Sequence, residues 1–187
     1  MRMETPKERF NRGHLMNILP AFNDAQLYVL NRAVGTAEDI VSNHYKMSVN
    51  QWLQAQYDVR TLVDLSRDEV VEGPFAQVIK YVGQKKNSPL RSSCFDYYRI
   101  CIQDHAILSV LNKSSQLDLF PFSLYVIIHE LVHIVRFSRF QHFFDASAPE
   151  RVIEEKRVHE CTRNLLSGLK IMGIQEVLSF YESWHLS

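Results

Sequence analysis

Between Leu124 and Val135 the chain is apolar at almost every position except three: His129, Glu130 and His133. Leu124, Val126, Ile127, Ile128, Leu131, Val132, Ile134 and Val135 leave no polar stripe, and a helix that is apolar nearly all round is a buried helix. Ser123, after Pro121, is its expected N-cap. A buried site rejects imidazoles and carboxylates that lack partners, because a desolvated polar group without a hydrogen bond costs free energy. The three polar residues therefore need a shared partner inside the protein.

Their spacing says what kind. Residues four apart lie one above the other on a helix, so His129 and His133 both reach a single metal ion. Glu130 falls on the neighbouring side of that face, where it can take a proton from a water molecule rather than bind the metal. This is the division of labour of H-E-x-x-H helices in zinc hydrolysis. A chance spacing of hydrogen-bonded core histidines is the competing reading, and the cost of burying three such groups weighs against it.

The surrounding chain bounds the setting. With 187 residues it suits one well-buried core, and a single domain over 1–187 is expected. Hydrophobic residues make up 46% and charged residues 22%, with 21 basic against 21 acidic side chains, which gives no footing for a dedicated nucleic-acid binder. Residues 1–20 read as an arm or short helix, charged and without the apolar core of a signal peptide. No apolar stretch reaches the roughly 20 residues of a membrane span without interruption by the motif. Cys94, Cys101 and Cys161 have no metal-type pair spacing and read as reduced thiols. A cytoplasmic protein with no membrane contact is the expectation.

From Asn23, a good cap, Leu27, Leu30, Val34, Ala37, Ile40 and Val41 recur at helical spacing and predict an amphipathic helix to about His44. Asn50 is expected to cap a second helix carrying Trp52, Leu53, Tyr57, Leu62, Val63 and Leu65. A third segment over 74–82 places Phe75, Val78, Ile79 and Val82 on one face. Lys85 and Lys86 sit in an expected loop. His14 and His44 have no companion at ligand spacing. The 95–111 stretch alternates, through Tyr98, Ile100, Ile102, Ala106, Leu108 and Val110, and predicts one long strand or an antiparallel hairpin. Such an element either offers an edge to an extended peptide or lies inside a sheet. The fold class read here is α+β, a mainly helical domain with a small antiparallel sheet or hairpin ahead of the motif helix. After it, Phe137, Phe140, Phe143 and Phe144 predict aromatic packing, with a hydrophobic pocket beside the metal as the alternative. Ser147 and Pro149 mark the start of the next helix.

A catalytic zinc takes three protein ligands and keeps one position open. The metzincin pattern, with Gly three and His six residues after the second His, is absent, since Arg136 and Arg139 stand there. A glutamate from the next helix is the remaining common solution. Glu155, in step with Val158, Thr162 and Leu165, is expected on the buried face; Glu154, one position away, is its rival.

H-E-x-x-H followed by a helical Glu resembles the gluzincin metallopeptidases. The run from Glu155 through His159 to Leu165-Leu166 is similar to the corresponding helix of ImmA/IrrE-type peptidases, with Arg157 and Cys161 differing from the pattern. The likeness covers about 123–166. It implies a zincin-like fold with His129, His133 and Glu155 as zinc ligands. Glu130 would be the general base acting on a peptide or protein substrate, with His159, one turn on, orienting a ligand. Oxyanion donors would come from His105, Tyr97, Tyr98, His142, His159 or Arg157. The alternative is a zinc-binding regulatory or interaction domain without turnover. The 173–187 segment, with Ile174, Val177, Leu178, Tyr181 and Trp184, predicts an amphipathic helix that packs on the domain or forms a homodimer surface.

Overall fold

The motif helix is the axis of the fold. In a computed structural model of the chain, residues 19–48, 56–84 and 94–184 are described. The elements run α1 (Asp24–Tyr45), β1 (Gln56–Arg60), a 3-10 turn (Leu62–Asp64), β2 (Ala76–Gln84), β3 (Cys94–Ile102), α2 (Asp104–Lys113), α3 (Leu119–Ser138), α4 (Ala148–Ser167) and α5 (Ile174–Trp184). The class is α+β, as expected.

Helix α1 starts where its chemistry says it should. The Asn23 side chain accepts from the Gln26 amide and Gln26 reaches back to the Asn23 N–H, two donors satisfied reciprocally. Its buried stripe, Leu30, Ala33, Ala37 and Val41, packs against α3. Helix α3 begins at Leu119 with Asp118 as N-cap, so Ser123 is a buried helical residue and not the cap. Pro121 lies inside the first turn, where the N–H it lacks has no intrahelical acceptor in any case. Residues Pro121 to Val135 of α3 are all buried. This is the one described helix with the length and apolarity of a membrane span, and 78% of its most apolar window lies inside the fold.

Two stretches expected as helices are extended. Tyr57 belongs to β1, Leu62 and Val63 to the 3-10 turn, and Val78, Ile79 and Val82 to β2. Asn50, Trp52, Leu53, Lys85, Lys86, His14 and nearly all of the 1–20 arm lie outside the described residues. The 95–111 element divides at Gln103: β3 ends at Ile102, and Ala106, Leu108 and Val110 belong to α2. The sheet order is β1-β3-β2, with β2 antiparallel to β3 from Ala76↔Ile102 to Gln84↔Cys94, and β1 parallel to β3 from Gln56↔Tyr97 to Arg60↔Cys101. The sheet is therefore mixed, and β3 is its centre rather than an edge.

One hydrophobic cluster joins α1, β2, β3 and the four later helices, from Phe22 to Tyr181. Helix α5 contributes Ile174, Val177, Leu178 and Tyr181 to that cluster, which is the first of the two placements expected for it, packing on the domain. Asp104, fully buried at the start of α2, accepts from the N–H groups of Phe22 (2.9 Å) and Leu62 (3.1 Å) and so ties the entry of α1 to the 3-10 turn.

Candidate metal centre

Helices α3 and α4 pack with their sequences running in opposite senses. Tyr125 meets His159, His129 and His133 meet Glu155, and Arg136 meets Glu154. This sets His129 and His133 of α3 against Glu155 of α4. The two Nε2 atoms are 3.2 Å apart, Glu155 Oε2 is 3.3 Å from His129 Nε2, and Glu155 Oε1 is 3.3 Å from His133 Nε2.

These distances fit a metal ion. A tetrahedral centre with ligand bonds of about 2.0–2.1 Å separates its ligand atoms by about 3.3 Å. Four atoms bearing lone pairs converge here with at most one proton to share between each facing pair. A cation answers that better than a network of hydrogen bonds. His129 and His133 are 9% and 7% exposed, and each has a buried Nδ1 with no partner among the described residues. Their side chains are thus committed through Nε2 alone. Burial pushes the Glu155 carboxyl up, but its hydrogen bonds to both histidines prevail and hold it well below the ordinary carboxylate range. For His133, burial works against the charged form, and the Glu155 bond with the nearby carboxylates overcomes it and raises the pKa.

The neighbouring carboxylate has another partner. Glu154, 2% exposed, receives both Arg136 Nε and Arg136 Nη2, the latter at 2.9 Å, and its Oε2 is 3.9 Å from His142 Nδ1. The buried stripe of α4 is Glu154, Val158, Thr162 and Leu166. Glu155 is thus off the face on which it was expected: its side chain is 52% exposed and leans back between the histidines, and Leu166 rather than Leu165 is the buried leucine.

Glu130 is 8% exposed and lines the same cavity of about 490 Å³. Burial raises its pKa, with His129 and His133 pulling the other way. The cavity has two ends. At one, Tyr125 Oη is 2.8 Å from His159 Nδ1, Tyr181 stacks on Tyr125 with ring centres 3.8 Å apart, and the His159 ring lies 4.2 Å from that of His129. Burial raises the pKa of both phenols, so both keep their protons. At the other end Phe137 stacks on His133 at 5.8 Å and packs against His142 and Phe144; Arg151 also lines the cavity. Phe75, just before β2, and Ala76, Gln77 and Val78 of β2 complete the wall.

Of the expected oxyanion donors, His142 and His159 line this cavity; His105, Tyr97, Tyr98 and Arg157 do not. The aromatic group divides as well. Phe137 and Phe144 line the cavity, whereas Phe140 and Phe143 are 81% and 70% exposed. Tyr125, Tyr181, Arg151 and the β2 residues were not anticipated. Only Tyr125 carried a signal, four residues before His129 and therefore on its face. Comparison with known protein families, with curated proteins and with solved structures finds no match.

Proposed function

We propose that the protein is a zinc-dependent metallopeptidase of gluzincin type, with His129, His133 and Glu155 as zinc ligands and Glu130 as general base. The observation that supports this most is the convergence of two Nε2 atoms and one carboxylate at 3.2–3.3 Å from one another. Glu130 stands next in sequence to the first ligand and in the same cavity. Three donors leave a tetrahedral ion one open position, which is what distinguishes a catalytic zinc from a structural one.

Zinc in such a site lowers the pKa of a water molecule toward neutrality and polarises a carbonyl. Glu130 does the proton work. Its carboxyl, raised by burial, takes the proton of the attacking water and returns it to the leaving amine. His159, held by the Tyr125 hydroxyl and packed on His129, keeps that imidazole in place and offers a donor to the developing oxyanion. The edge of β2 beside the cavity, which pairs with no further strand among the described residues, suits an extended peptide, which adds to a sheet edge through its own backbone.

Elemental analysis of the purified protein tests the site. About one zinc per chain is expected, retained by Glu154→Ala and lost by Glu155→Ala. Peptide hydrolysis by the wild type, with Glu130→Gln inactive at unchanged zinc content, tests the chemistry. Zinc binding without turnover of any peptide leaves the regulatory metal domain instead.

A further inference from the structure

Two of the three acidic groups in the cavity wall are paired, Glu154 with Arg136 and Glu155 with the two ligand histidines. The third, Glu130, is 8% exposed and is the carboxylate assigned above to proton transfer. Arg151 is different. It lines the same cavity, is exposed, and has no acidic partner among the described residues; its backbone N–H donates to Ser147 O at 2.9 Å. The nearest acid in sequence, Glu150, is turned away to the Ser147 hydroxyl and N–H.

A substrate that fills the cavity strips water from this guanidinium. The desolvated cation then needs an anion, and a planar carboxylate fits it through two parallel hydrogen bonds. Arg151 is one turn before Glu155 on α4, about 6 Å along the helix axis. An extended peptide advances about 3.3 Å per residue.

We infer that Arg151 makes the cavity select peptides carrying a carboxylate within about two residues of the bond to be cut, beside an apolar side chain seated against Phe137 and Phe144. This rests on the peptidase reading. The carboxylate is either an acidic side chain or the free C-terminus, and the test separates the two.

Binding is measured by fluorescence anisotropy on the zinc-supplemented Glu130→Gln protein, so that no turnover is required. The dye-labelled peptides share one apolar core and differ only in Asp against Asn, and in a free against an amidated C-terminus. At least one carboxylate form is expected to bind about tenfold more tightly than its neutral counterpart, and the difference is expected to vanish in the Glu130→Gln/Arg151→Gln protein. Whichever pair shows it identifies the source. Equal affinities, a preference that survives removal of Arg151, or no binding of any peptide overturns the inference. A preference that depends on Arg151, in a protein whose wild type hydrolyses none of the peptides, removes the peptidase reading and with it the position relative to a cleaved bond, and keeps only the carboxylate selection by Arg151.

Discussion

Glu154 and Glu155 are adjacent carboxylates with opposite surroundings, and the pair shows what a single residue contributes. Glu154 is almost wholly buried and matched by one guanidinium, whereas Glu155 is half exposed and matched by two imidazoles. Removing either leaves a different orphan. Glu154→Ala strands the Arg136 guanidinium, which is 19% exposed, and is expected to cost about 3 kcal/mol of stability in urea unfolding while zinc content stays near the wild-type value. Glu155→Ala is expected to show the reverse. The motif histidines were legible because a spacing of four places them on one face whatever the surroundings. The choice between the glutamates was not, because one position is about 100° of helix and a glutamate side chain is long enough to span that difference. What separates them is Arg136, three residues past His133 on the other helix, and sequence alone does not pair two helices.

At the scale of elements, the helices with a chemical start signal and the alternating strand β3 were legible, whereas β1 and β2 were not. Asn23 and Ser147 open α1 and α4 as expected, Asn23 through reciprocal bonds with Gln26 and Ser147 by donating its N–H and its hydroxyl to the Glu150 carboxylate. In and just before β2, Phe75, Val78, Ile79 and Val82 happen to fall at helical spacing, and the strand is decided by pairing with β3 over nine residues, which is a tertiary fact. The same misreading runs the other way in α2, where Ala106, Leu108 and Val110 alternate inside a helix set by Asp104 and the buried Ile107. Arg99 of β3 ties the sheet to the loop before β2 through Glu69, which is 2% exposed and also accepts from Ser66 N–H, Ser66 Oγ and Tyr81 Oη, each at 2.7 Å. Burial pushes the Glu69 carboxyl up, and these donors overcome it and pull it down to about 2. A folded pKa below the unfolded value of about 4.3 means that the unfolded chain binds more protons between the two. Glu69 therefore stabilises the fold above about pH 4 and loses that effect as the pH falls toward about 2. Glu69→Gln is expected to be less stable by about 3 kcal/mol at neutral pH. Its stability should approach that of the wild type as urea titrations are repeated from pH 6 down to the acid limit. A gap independent of pH would assign the effect to packing.

The molecule as a whole is assembled on α3, which touches α1, α4, α5 and β2 and carries two of the three residues of the proposed metal site, while the third belongs to α4. Its near-continuous apolar run made the core legible, and the three polar interruptions made the site legible; the cavity's shape came from α5 and β2, which no local pattern ties to the motif. An ion at the donor cluster would join two helices of the core, so its binding free energy is also stability of the fold. With free zinc at a hundred times its dissociation constant, that linkage amounts to about 2.7 kcal/mol. For a domain of this size it corresponds to a rise in Tm of about 5–10 °C. Calorimetry of the wild type with added zinc, against the same protein with a chelator, is expected to show that rise. Glu155→Ala should show little of it, and Glu130→Gln should keep it in full, because the proposed site uses Glu130 for the chemistry and not as a ligand. Equal Tm values for zinc-supplemented and chelator-treated wild type would mean that the donors close on one another by hydrogen bonds alone, and the two imidazoles 3.2 Å apart would then be a core pair sharing a proton.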